Sequence, residues 1–497
     1  MAIWSRMPNE PSQRGGGPVL SPPQNANVSL GSLLVPERLS IWAWVLGYTA
    51  ILTSLSVLRS ELWLTTGFDL GLYEQGLWQL VHQGLRAATT YTGQPILAEG
   101  GSWILILLAP LYALGGTGLL FALQSFFLGL GYLLIRRIGS TIKVPAGTSH
   151  LIGVIYLLYP TLIGANLFDF HPTTLAVPLL FGIISAALEN RRATFAVLLL
   201  LCFSIQASVV TPLIAVGIVL LLLQRPVWGF GTVGLALVGV WTDTHALLPI
   251  LADVHMSIWS AMVPSGVPLA VSPTALGHSM TQLRTWEYLM WIGGPSALVL
   301  LTGRPGKHLT WALPAVAVIA ANLLSTSPAN TSPFSYPTLM ALPFLFTAIL
   351  GMQTARPTPA GRYRTACLVL PVLALAAFFW HDWRISWSAL PPNTDALLTA
   401  TALIPARAPV VVQNFSAPDV SDRAKVWLPA AAAIRALPKG TYILLDNRFS
   451  LRFSSPGDLH ALSVRVAADK ETKVAFSSNG VRLYELLAAL PQPSHPV

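Results

Sequence analysis

Apolar runs close to membrane length recur along almost the whole chain. Ile41 to Leu58, Leu119 to Ile135 and Ala366 to Trp380 are examples, and a helix needs roughly 20 such residues to cross the hydrocarbon core. In order, the runs predict spans near 40–58, 117–135, 149–166, 172–188, 193–206, 208–223, 228–250, 286–302, 309–325, 336–353 and 366–381, about eleven in all. Trp103 to Leu114 is apolar but too short to cross comfortably, and reads as an interfacial or re-entrant helix. Between the first two spans, the helical period puts Tyr73, Leu77, Leu80, Val81 and Gly84 on one face. Gln75, Gln79, His82, Gln83 and Arg86 fall on the other, which suits a helix lying in the interface plane.

After Trp380 the pattern changes. Charged residues and prolines return, and the tail is long enough to fold alone. Val410 to Gln413 and Tyr442 to Leu445 read as strands around a helical run, Trp427 to Leu437. Val474 to Phe476 and Val481 to Tyr484 flank Ser-Asn-Gly, a hairpin signal because Asn479 and Gly480 tolerate positive φ. The expected organisation is a disordered cytoplasmic tail over 1–38, a transmembrane domain over 39–381 with an outer loop over 59–116, and a small α/β domain over 382–497. The fold class is an all-α polytopic membrane protein carrying interfacial helices and that terminal domain.

Composition agrees. Only 10% of the 497 residues are charged and 53% are hydrophobic, which a soluble globule does not need. The net charge of +9 sits in clusters between apolar runs, such as Arg136, Arg137 and Lys143, then Arg191, Arg192 and Arg225. Clusters of that kind set topology, so no nucleic-acid partner is expected. They place the N-terminus in the cytoplasm and, with an odd number of spans, the terminal domain outside it. Cys202 and Cys367 lie inside apolar runs and support neither a disulfide nor a zinc site.

A few polar residues stand out against this background. Asp69 begins the amphipathic segment Gly67-Phe-Asp-Leu-Gly71, where a carboxylate either caps a helix or faces an outer cavity as a base or metal-binding acid. The second cluster is Asn166-Leu-Phe-Asp169-Phe-His171-Pro172, at the corner between two runs. Pro172 suits the first turn of a helix that Asp169 could cap, yet ionisable groups at membrane depth cost roughly 2.5–3.5 kcal/mol and usually face a cavity. In the cavity reading, Asp69, Asn166, Asp169 and His171 share an outer pocket with Glu74, Gln75 and Glu99. Asp243 and His245, spaced i, i+2, diverge on a helix and make a poor metal pair. No Walker loop and no dinucleotide fingerprint occurs.

Phe68-Asp69-Leu-Gly71 with Gln75 and Trp78, Leu108-Ala-Pro110-Leu-Tyr112, Leu158-Tyr-Pro160 and Asn166-Leu-Phe-Asp-Phe-His171-Pro172 resemble, as a set, an uncharacterised bacterial family of multi-pass membrane proteins known as a domain of unknown function. A looser match runs through Ala341-Leu-Pro343 and Ile404-Pro405 to Asp446. That family is similar in layout to the GT-C glycosyltransferases, which move a sugar from a polyprenyl-phosphate donor outside the cytoplasm and use an Asp in the first outer loop. The resemblance implies that Asp69 is the catalytic base or a metal-associated acid and that the protein resides in the bacterial inner membrane among lipid partners, with Glu74, Gln75, Glu99, Asn166, Asp169 and His171 as the substrate-side candidates. A divalent metal, the oligomeric state and the sugar stay open. The chain departs from the family at Ala98-Glu99-Gly-Gly-Ser102, where relatives carry His-Phe-x-Pro, and at Ile205-Gln206-Ala207, where they carry Lys-Glu-Asp. A transporter or flippase of a lipid-linked or small polar solute, and a non-catalytic scaffold descended from an enzyme, are the competing readings.

Overall fold

The computed structural model describes residues 30–262, 281–325, 327, 330–354, 361–380, 393–447 and 455–493. The chain divides into two units, residues 1–43 and 44–497. The tail expected to be disordered over 1–38 lies outside the described residues up to residue 29. From Leu30 the chain is already helical, because Leu30, Leu33 and Leu34 carry the apolar period back beyond the expected start.

Helices α1 (Leu30–Glu61), α2 (Leu72–His82), α3 (Leu105–Thr141), α4 (Ala146–Leu157), α5 (Pro160–Phe168), α6 (Ala176–Leu188), α7 (Arg192–Phe203), α8 (Val210–Leu222) and α9 (Pro226–Thr242) follow in order. Helices therefore occupy nearly all the expected positions, but the expectation of about eleven full spans is corrected. Four stretches, Ile41–Glu61, Leu105–Thr141, Pro226–Leu251 and Lys307–Leu324, are long and apolar enough to cross a membrane. The pair α4 and α5, bent by 41°, makes a fifth if counted as one span. Pro172–Leu188, Arg192–Phe203, Ala207–Leu222, Tyr336–Gly351 and Thr365–Phe378 are apolar but only 10–17 residues long. Helix breakers explain part of the shortfall: Pro160 starts a new helix inside the span expected over 149–166, and a 3-10 turn at Gly294–Ser296 interrupts the span expected over 286–302.

The short apolar stretch 103–114 is the first part of α3. It is set off from the remainder by Gly116, whose φ of 56° and ψ of −154° no helix contains. Its Ile106 and Ala109 line a groove with Leu80 and Val81 of α2. The polar face expected for α2 meets solvent only in part, with His82, Gln83 and Arg86 exposed. Gln75 and Gln79 are buried and bond the distant chain near Ala424, while Val81 is exposed.

The terminal sheet has five strands, β1 (Val410–Val412), β2 (Val426–Trp427), β3 (Tyr442–Asp446), β4 (Thr472–Ser478) and β5 (Val481–Leu486), in the order β2-β1-β3-β5-β4. β1 pairs in parallel with β2 and β3, and β5 antiparallel with β3 and β4. The β4–β5 turn is the expected one, with Asn479 at φ 49° and Gly480 at φ 90°. The helical run expected over Trp427–Leu437 is mostly not a helix: Val426–Trp427 pairs as a strand and only Pro429–Ala433 coils, since parallel pairing with Val410 and Val411 captures its start. Trp63, just after α1, inserts into the core of this sheet beside Val410, Phe415 and Leu444. The expected junction at 381–382 lies outside the described residues.

Candidate functional site

The link between α1 and α2 is a π-helical turn, Gly67–Gly71. Such turns widen the helix by one residue, re-aim a side chain and recur at functional sites. Here the turn is pressed against residues 414–421. A Cβ on Gly67 would land on the Ala417 side chain, and one on Gly71 would come within 2.8 Å of Ser421 Oγ and Tyr91 Oη. The two glycines thus permit the close approach, which the Phe68 N–H seals by donating to Asn414 Oδ1 at 3.0 Å. Asp69, inside the turn, projects away from that contact and keeps 29% of its side chain exposed.

The opposite wall is the corner after α5. His171 precedes Pro172, whose ring excludes the helical region for its neighbour, and His171 is extended at φ −138°. The helix therefore stops at Phe168, Asp169 is extended as well, and both side chains swing toward Asp69. Gln124 of α3 braces the corner. Its amide donates to the carbonyls of Asn166 at 2.9 Å and Asp169 at 3.1 Å, and its oxygen accepts from the His171 N–H at 3.0 Å.

Three ionisable groups meet around Thr66. His171 Nε2 lies 3.4 Å from Asp69 Oδ1. Thr66 Oγ1 lies 2.9 Å from Asp69 Oδ2 and 2.9 Å from Asp169 Oδ2, and the Thr66 N–H donates to Asp169 Oδ2 at 3.1 Å. A hydroxyl has one proton to donate, so one of the two carboxyls must supply the other. Burial and then the nearby Asp69 charge push Asp169 well above the usual carboxylate range, with Arg59 and Thr66 only partly opposing. For Asp69 burial also acts upward, but His171 and Thr66 together outweigh it and hold the carboxyl low. The arrangement is one proton-bearing buried acid, Asp169, bonded through Thr66 to one ionised, solvent-reaching acid, Asp69.

Aromatic rings enclose the histidine, which is 3% exposed. Tyr336 stacks on it at 3.9 Å, Phe168 covers the ring at 5.7 Å, and Tyr73 meets it edge-on at 5.8 Å. Burial, followed by Tyr336, Glu99 and Asp69, raises the Tyr73 hydroxyl well above its usual range, so half-buried Glu99 acts electrostatically on the same group. Neither Asp69 nor Asp169 makes the helix cap that the local spacing allowed.

The remaining candidates lie elsewhere. Asn166 is fully buried against Ser125 and Tyr48, bracing α5. Gln75, also fully buried, uses its amide on Thr90 and the Arg423 carbonyl and its oxygen on the Thr90 N–H, which leaves nothing for a ligand. Glu74 accepts from Thr117 in a second acid group with Asp419 and Asp422, where burial pushes Asp419 up to about 7. Asp243 is bonded by the Trp103 indole at 2.7 Å, while His245 stacks on Trp241. Thr66, Gln124 and Tyr336 are the participants that sequence reasoning missed. Gln124, polar inside an apolar run, carried a signal. Among the described residues no group of three or more His, Cys, Asp or Glu is placed to hold a metal ion.

Mostly apolar helices that carry a buried acid and histidine facing an ionised carboxylate, capped by a small sheet, define a membrane protein with a polar site at one end of its helices. The chain belongs to the family described as "Predicted membrane protein (DUF2079)", whose family model matches residues 59–483. No curated protein matches it. It is similar to two crystal structures of ArnT from Cupriavidus metallidurans. One, bound to undecaprenyl phosphate, shares 12% identity at a TM-score of 0.49, over 91% of this chain and 99% of that one. The other, in the apo state, shares 13% at 0.44, over 90% and 99%. Likeness at that level is too loose to carry a function across. The segments 98–102 and 205–207 touch one another: the Ala207 N–H donates to the Gly100 carbonyl at 2.8 Å, and Gly100 packs flush on Gln206.

Proposed function

We propose that this chain is a membrane glycosyltransferase of the GT-C kind, taking its sugar from a polyprenyl-phosphate donor on the extracytoplasmic side, with Asp69 as general base. The observation that carries the reading is the Asp69–His171 pair: an ionised carboxylate with an open face, held by a buried imidazole 3.4 Å away. In this role Asp69 takes the proton of the acceptor hydroxyl as its oxygen attacks the anomeric carbon. The bond to the donor phosphate breaks, the phosphate leaves with the electron pair, and configuration inverts. His171, too buried to reach substrate, positions Asp69, and Asp169 stays neutral behind it. Phe68 and Phe168, 36% and 41% exposed beside the acids, offer a lipid tail an apolar approach. The domain limits 39–381 and 382–497, the cytoplasmic N-terminus and the outer placement of the sheet are parts of the same proposal.

The test is transfer from labelled lipid-linked sugars by the purified chain. Asp69→Asn is expected to lose about 10²–10⁴-fold, the usual contribution of a positioned base. Asp169→Asn, an uncharged stand-in for a neutral acid, keeps most of the activity. Undiminished transfer by Asp69→Asn removes the proposed base.

A further inference from the structure

A second feature lies at the far end of the same helices. Gln124, level with the acid site, and Arg137 are thirteen residues apart on α3, about 20 Å at 1.5 Å per residue. There α3, α6 and α7 splay around a groove of about 210 Å³. Its walls are Phe127, Leu130 and Leu134 of α3, Leu179 of α6 and Leu198 of α7. Arg137 and Arg191 stand at its rim beside Ser185 and Thr194.

The rim is built. Arg137 forks onto Glu189 with both contacts at 2.6 Å, and Arg191 Nε reaches the same carboxylate at 2.8 Å. Arg225 pins the loop by donating to Asn190 Oδ1 at 3.1 Å and to the Ala187 carbonyl. Two arginines against one carboxylate leave a surplus positive charge, and exposed Arg192 at the start of α7 adds another. Arg137 and Arg191 remain 44% and 58% exposed, so their remaining donors face outward at the mouth. An apolar slot as long as a few helical turns, ending in surplus guanidinium, matches a molecule with a hydrocarbon tail and an anionic head. A neutral or zwitterionic lipid leaves the surplus charge unanswered.

We infer that this groove binds one anionic phospholipid, with an acyl chain against Phe127, Leu130 and Leu198 and its phosphate at Arg137 and Arg191. The site is independent of the acid site and of the reaction proposed there.

Native mass spectrometry of the full chain, released from mixed phosphatidylglycerol and phosphatidylcholine vesicles, tests the inference. Phosphatidylglycerol should be retained over phosphatidylcholine. Arg191→Gln should weaken that retention about fivefold, the factor that corresponds to about 1 kcal/mol per basic residue at a membrane surface. Thr194→Trp, which fills the groove and leaves the arginines in place, should abolish retention without lowering Tm. Equal retention of the two lipids, retention unchanged in both variants, or a lipid-free dimer closed over the groove would each overturn it.

Discussion

Two groups of acids sit within one loop of each other, and they are built for different ends. Around Thr66, Asp69 keeps an open face, a buried histidine ring lies 3.4 Å from its carboxylate, and a second acid, Asp169, keeps its proton. Around Glu74, the carboxyl is 3% exposed and accepts from Thr117, and its neighbours are more acids: Asp419, and Asp422 held by the Tyr112 hydroxyl. The first group can meet a substrate with charge; the second closes the seam between α2, α3 and the chain before β2. An acid between α1 and α3 is thus no sign of chemistry by itself. What separates the two is solvent access together with a ring nitrogen, rather than further acids, beside the carboxylate.

The largest effect that would break this contrast is catalytic. Asp69→Asn should remove about 10²–10⁴ of transfer while Glu74→Gln changes it less than about threefold, because only the first carboxylate has an open face toward solvent. Equal losses in the two variants would erase the distinction. Next comes the seam. Gly67→Val forces a side chain into Ala417 and should cost about 1–3 kcal/mol of stability, read as a lower Tm in detergent. Gly118→Val is the control, since a Cβ there meets no atom within 4 Å, and it should leave Tm nearly unchanged.

The smallest effect is in pH dependence. Burial, with the acids nearby, raises Glu74 well above its usual range in the folded protein. Its contribution to stability is therefore complete below the unfolded pKa of about 4.3 and is lost as pH rises through the folded value. Glu74→Gln keeps an oxygen for Thr117 and cannot ionise. Its Tm relative to the parent should climb as pH rises above the unfolded value of about 4.3, whereas a flat difference would show that Glu74 carries no such penalty.

The sequence made the Asp69, Asp169 and His171 meeting legible because each sits at a local signal, a glycine-bracketed turn or a residue ahead of proline. The β4–β5 hairpin was legible for the same reason. Glu74 and Gln75 were not, since period alone shows a polar face and not what covers it. Gln75 finds its cover at Arg423, 348 residues away. Span number failed similarly: apolarity located the helices, while their lengths depend on turns such as Gly294–Ser296 that hydropathy averages over.

Access from the outer side is the claim on which the rest depends, and cysteine labelling measures it without knowledge of the substrate. In spheroplasts treated with a membrane-impermeant maleimide, Asp69→Cys should react, as should Ser477→Cys on the terminal sheet, while Glu74→Cys stays unlabelled until the protein is denatured. Labelling at position 477 with none at 69, or equal labelling at 69 and 74, would contradict the account.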